Sequence, residues 1–85
     1  MVVVVLPPIL AAEAGGQSRV EVEATTVEEA LGALPIVDRL FDEHGSLRSL
    51  VNVYVDGVDV RERGGLSGKL SGTETIRLVG AIAGG

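Results

Sequence analysis

The chain has 85 residues and is 46% hydrophobic, enough for one small domain with a core and too apolar for a disordered segment. It has no cysteine, which excludes disulfides, thiolate metal sites and a cysteine nucleophile. The formal net charge is −5 and the basic residues Arg19, Arg39, Arg48, Arg61, Arg63, Lys69 and Arg77 are scattered, with Phe41 and Tyr54 as the only aromatics. The basic stripe and stacking platforms of a nucleic-acid binder are therefore missing, and an acidic surface of this kind suits a basic partner surface.

Met1 to Ala14 is apolar, but no positive charge precedes it and Pro7-Pro8 interrupts it, so it does not read as a targeting signal. It is also too short to span a bilayer. The expectation is a cytoplasmic protein without a membrane segment.

Val2-Val3-Val4-Val5-Leu6 is a β-branched run that ends at Pro7-Pro8, since proline donates nothing to a strand ladder. Residues 9–18 read as a loop through Gly15-Gly16-Gln17-Ser18. In the next run, Val20, Val22 and Ala24 alternate with Arg19, Glu21 and Glu23, the period of a half-buried strand. The two runs suit an antiparallel pair. Thr26 with Glu29 fits a capping box, with Thr25 and Glu28 as the other register. Val27, Ala30, Leu31 and Leu34 then fall on one helical face. Pro35 ends or kinks this helix, and Ile36, Val37, Leu40 and Phe41 extend an apolar face by another turn or two before His44-Gly45-Ser46 breaks it.

Leu50 to Val60 is a second strand region. Val51, Val53 and Val55 alternate with Asn52, Tyr54 and Asp56, and Asp56-Gly57 marks a hairpin turn before Val58 and Val60. Arg61 to Gly72 reads as a polar, glycine-rich loop anchored by Leu66 and Leu70. Ile76, Leu78 and Ile82 share a parity in a last strand over Thr75 to Ile82. The predicted class is α+β: a mixed sheet of about five strands covered on one face by one main helix. The β-grasp has this order, as do other small α+β folds. The predicted division is a domain over 1–79 and a flexible tail over 80–85.

The candidate chemistry lies at the end, Gly80-Ala81-Ile82-Ala83-Gly84-Gly85. Terminal glycines add little to stability. A tail without Cβ atoms can, however, thread a narrow channel and present an unhindered carboxylate to ATP. Adenylation would make that carboxylate electrophilic, and attack by a sulfur nucleophile would leave a thiocarboxylate on Gly85. The chain has no G-x-x-x-x-G-K-[ST] run to bind the ATP itself, so activation falls to a separate protein.

Leu6-Pro7-Pro8-Ile9-Leu10, Gly15-Gly16-Gln17, the run Leu50 to Arg61, Gly64-Gly65-Leu66 and Ala83-Gly84-Gly85 together resemble the MoaD/ThiS family of β-grasp sulfur carriers, nearest to the CysO type. The resemblance implies a β-grasp fold and an E1-like adenylating or sulfurtransferase partner that uses ATP. It also implies a downstream sulfur-accepting synthase. Gly85 would carry the thiocarboxylate, with Ala83 and Gly84 threading into the partner. On this reading the chain is no enzyme, binds no cofactor tightly, holds no metal and is a monomer when free. Two departures stand out. Gly72-Thr73-Glu74 replaces an Asp-Gly-Asp-like turn, and Gly80-Ala81 stands where a proline is common. The alternative is a ubiquitin-like modifier joined through Gly85 to target lysines; a single lysine, Lys69, limits self-chains.

Other residues read more plainly. His44 is a solvated histidine, and Asp38, Asp42 and Glu43 form a wet helix face rather than a metal site. Tyr54 faces away from the valines, onto the exposed sheet face. The loop Arg61-Glu62-Arg63-Gly64-Gly65 is no nucleotide site, lacking the G-x-G-x-x-G fingerprint and its setting between strand and helix, and would flank the tail.

Overall fold

The β-branched runs form strands as their alternation requires. The structure, a computed structural model, describes residues 1–45 and 51–80. Strands β1 (Val2–Val5), β2 (Arg19–Val22), β3 (Val51–Val55), β4 (Val58–Asp59) and β5 (Thr75–Gly80) form one sheet in the order β2-β1-β5-β3-β4. The sheet is mixed. β1 runs antiparallel to β2 and parallel to β5, and β3 runs antiparallel to both β5 and β4. Val2, Val4, Val22, Val53, Val55, Ile76 and Leu78 point to one face and are buried. The register Val4↔Ile76 and Ile76↔Val55 aligns this apolar set across the central strands, and a slip of one residue would turn it into solvent.

The helices cover that face. α2 (Val27–Gly32) buries Val27, Ala30 and Leu31, with Leu34 just beyond it. Its start differs from an ordinary capping box. The Thr26 hydroxyl accepts from Glu29 N at 3.2 Å, but Glu29 Oε1 reaches past Thr26 to accept from Thr25 N at 2.8 Å and Thr25 Oγ1 at 2.7 Å. The cap thus follows the Thr26–Glu29 register, with Thr25 rather than Thr26 meeting the carboxylate. Pro35 separates α2 from α3 (Val37–Leu40), which carries the buried face on through Leu40, with Ile36 buried at its start. The predicted main helix is therefore two short ones.

Residues 9–18 are not all loop. Pro8–Glu13 is a helix, α1, with Leu10 and Ala11 buried. Pro8 sits in the first turn, where its missing N–H costs nothing and its fixed φ favours helix. Gly15, at φ 77°, follows the helix end, and Gly16 N donates to Ala11 O at 2.8 Å, the long-range bond of a Schellman closure. The residues that read as breakers are the two ends of a helix. The predicted polar loop likewise contains two 3-10 turns, Val60–Arg63 and Gly65–Ser67. Leu70 is buried and Leu66 packs on the core, as anchors. Among the described residues no helix is long and apolar enough to cross a membrane.

Candidate functional site at the end of the central strand

β5 holds the middle of the sheet, between β1 and β3, and leads into the predicted site. Its burial fades along its length. Ile76 and Leu78 are buried, while Val79 and Gly80 are exposed. Gly80, the last residue of β5, pairs with Val51. Ala83, Gly84 and Gly85 lie outside the described residues, as does Ile82, the predicted end of the strand.

The other end of β5 is clamped by two carboxylates. Asp56 and Gly57 both have positive φ, 49° and 84°, which gives the β3–β4 hairpin the primed turn that matches strand twist. In that position Asp56 N donates to Thr75 O at 2.9 Å and Asp56 Oδ1 accepts from Thr75 N at 2.9 Å. One residue earlier, Glu74 is the only charged residue buried among those described, 7% exposed. Its Oε2 accepts from Ser71 N at 2.8 Å and Ser71 Oγ at 3.2 Å; its Oε1 accepts from Gly72 N at 3.0 Å and Thr73 N at 3.1 Å. The Ser71 N–H, foremost among these donors, favours the ionised carboxylate and brings its pKa down to about 2 against the cost of burial. Val3 N donates to Glu74 O at 3.1 Å, which ties the same turn to β1. The Gly72-Thr73-Glu74 departure is thus a satisfied turn that sets where β5 begins. Sequence reading passed over Glu74 as a clamp; its signal is a lone carboxylate between Ser-Gly-Thr and an apolar strand.

The remaining candidates sort as follows. His44 is exposed, its backbone N–H donating to Asp42 Oδ1 at 2.9 Å. No group of three metal-ligating side chains forms among the described residues. Tyr54 is half-buried, opposite Arg77 in the register, on the face of the sheet away from the helices. In the loop thought to flank the tail, Arg61 grips Asp59 through Nε–Oδ1 at 3.0 Å and Nη2–Oδ2 at 2.7 Å. That fork, with the Arg61 N–H, brings the Asp59 carboxyl down to about 2.

No protein-family model matches the chain. Among curated proteins it is 34% identical over 91 residues to the sulfur carrier protein CysO of Mycobacterium tuberculosis (strain ATCC 25618 / H37Rv), covering 99% of this chain and 98% of the relative. The crystal structure of M. tuberculosis CysO superposes with a TM-score of 0.86 at 31% identity, covering 96% of this chain and 100% of that one. A chain of the Amycolatopsis orientalis BexX/CysO complex gives 0.84 at 31% identity, covering 100% of both. SAMP1 from Haloferax volcanii gives 0.74 at 28% identity, covering 99% of this chain and 98% of that one.

Proposed function

The chain belongs to the ubiquitin-like sulfur carrier family, and from that premise we propose that it acts as a sulfur-donating co-substrate through the carboxylate of Gly85. The observation that carries this reading is the match to CysO from one end of the chain to the other, in sequence and in fold. Gly84-Gly85 follows the central strand after Ala81-Ile82-Ala83, so the clamped sheet holds the base of the segment that reacts.

The chemistry has two steps. A Gly85 carboxylate oxygen attacks the α-phosphorus of ATP held by an E1-like partner, and pyrophosphate leaves. Sulfide then attacks the carbonyl carbon, AMP leaves, and Gly85 ends in a thiocarboxylate that passes its sulfur to a downstream synthase. The chain supplies the reacting group and the frame that presents it, and ATP remains the partner's substrate. A CysO chain is found in complex with BexX, which supports action through a partner protein.

The test is the intact mass after incubation with an E1-like enzyme from the same source, ATP and sulfide. The expected gain equals replacement of one oxygen by sulfur at Gly85, and it disappears without ATP. Gly84→Val should keep the parent's circular dichroism melt yet lose the gain, because a branched side chain blocks a narrow channel. Unchanged mass, with an enzyme active on another carrier, would overturn the reading. The SAMP1 likeness supports a second reading, protein conjugation, at lower identity than CysO. Its signature would be an isopeptide between Gly85 and a target lysine.

A further inference from the structure

β2 lies at one edge of the sheet, beside β1. Leu6 N donates to Ser18 O at 2.8 Å, in the same register that sets Val4 opposite Val20 and Val2 opposite Val22. Antiparallel ladders bond alternate pairs, so Val20 and Val22 turn their N–H and C=O groups toward β1. Arg19 and Glu21 therefore turn theirs outward, where among the described residues no other strand meets them. Their side chains are exposed, and neither makes an ion pair among the described residues. Val20 between them is half-buried, on the helix side of the sheet.

An open edge is a template for another strand, and charged residues ordinarily blunt it. Here the charges select one partner. About a two-fold axis through Val20, perpendicular to the sheet, Arg19 lies opposite Glu21 of a second copy, and Glu21 lies opposite Arg19 of that copy. Both pairs fall where the backbone groups point outward, so each pair exchanges two N–H···O=C bonds. The two Val20 side chains meet at the axis. Moving the centre by one residue either way sets Arg19 against Arg19 or Glu21 against Glu21, and like charges directly opposite disfavour pairing. A surface on which residue i meets j while j meets i is the mark of an isologous contact.

We propose that β2 pairs antiparallel with β2 of a second copy, centred on Val20, so that two five-stranded sheets join into one. The occupant is the chain itself because the charge pattern of the strand complements its own reverse. The pairing goes beyond the carrier reading and does not depend on it, and it replaces the expectation of a free monomer with a concentration-dependent pair. β1 separates β2 from β5, so this contact leaves the end of β5 open in both copies. A strand of four residues is a small contact, which makes the association weak, and its exposed ion pairs make it sensitive to salt.

The experiment is sedimentation equilibrium of the full chain from about 10 μM to about 1 mM, the range of a small, transient interface. The mass should rise toward that of a dimer, and less so in high salt. Arg19→Glu and Glu21→Arg, each alone, should stay monomeric, because each sets like charges opposite. An equal mixture of the two variants should associate, since each supplies the charges that the other lacks. The double variant Arg19→Glu/Glu21→Arg should regain the association of the parent. In amide hydrogen exchange, the N–H groups of Arg19 and Glu21 should gain protection as the concentration rises, while those of Val20 and Val22 are protected throughout. Circular dichroism melts check that each variant folds. A parent that stays monomeric at the top of the range would overturn the proposal. So would association that both single reversals retain, or that leaves the Arg19 and Glu21 N–H groups unprotected, since the contact then lies elsewhere.

Discussion

Glu74 shows how one side chain can serve as the start of a strand. Its carboxylate takes four hydrogen bonds from Ser71, Gly72 and Thr73 while its own carbonyl accepts from Val3. The folded-state pKa of about 2 lies below the ordinary 4.5, so folding favours the ionised form. The stabilisation it brings is complete above the ordinary value and is lost as the pH falls from about 4.5 toward 2. Glu74→Gln keeps the shape but offers a single acceptor oxygen, and leaving a buried donor unmet costs about 1–3 kcal/mol. Urea melts from neutral pH to pH 2 should show the parent losing its advantage over the variant across that interval. Parallel stability profiles would show that the clamp contributes nothing. Asp56 acts beside it, its positive φ placing the side chain where it can hold Thr75 N.

At the scale of elements, most of the sequence reading stands where a periodic pattern is long enough to show. The alternation in Arg19–Val22 and Val51–Val55, and the helical face of Val27, Ala30, Leu31 and Leu34, all appear in the structure. α1 escaped because six residues display little periodicity and because Pro8 and Gly15 signal helix ends as well as breaks. α2 is also short and leans on its cap. Thr26→Ala removes the hydroxyl that accepts from Glu29 N and should cost about 1 kcal/mol. Gly32→Ala should act in the other direction, by about 0.5–1 kcal/mol. Gly32 is exposed in α2, outside the left-handed region, and an added Cβ meets nothing within 4 Å. Denaturant midpoints check both, and shifts of the same sign would refute this account of α2.

For the whole molecule, stability depends on one apolar layer shared by the sheet and the helices, a single cluster that runs from Val2 through Leu31 and Leu40 to Leu78. Leu31 is fully buried within it. Leu31→Ala should cost about 2–5 kcal/mol, a large share of the roughly 5–15 kcal/mol typical of a domain. A lower denaturant midpoint is expected, and an unchanged one would show that the helix layer does not hold the sheet. Among the described residues the other face of the sheet carries no such layer. It is free to hold Arg19, Arg77 and Tyr54, so a chain that is acidic as a whole presents two exposed cations on one side, neither in an ion pair among the described residues.

By itself, the sequence determined the strands and the main helical face, because alternation and 3.6-residue spacing are local patterns that burial imposes directly. It also determined the family, through motifs strung along the chain, and the Gly84-Gly85 pair as candidate chemistry. Tertiary structure alone decided the strand order, with β5 between β1 and β3, because pairing partners are chosen across long stretches of chain. It decided that Glu74 is buried, since the turn that bonds its carboxylate is tied to β1 through Val3 N. It also decided that Arg19 and Arg77 stand in one row although 58 positions part them in the sequence, because register, and not proximity along the chain, brings charges together.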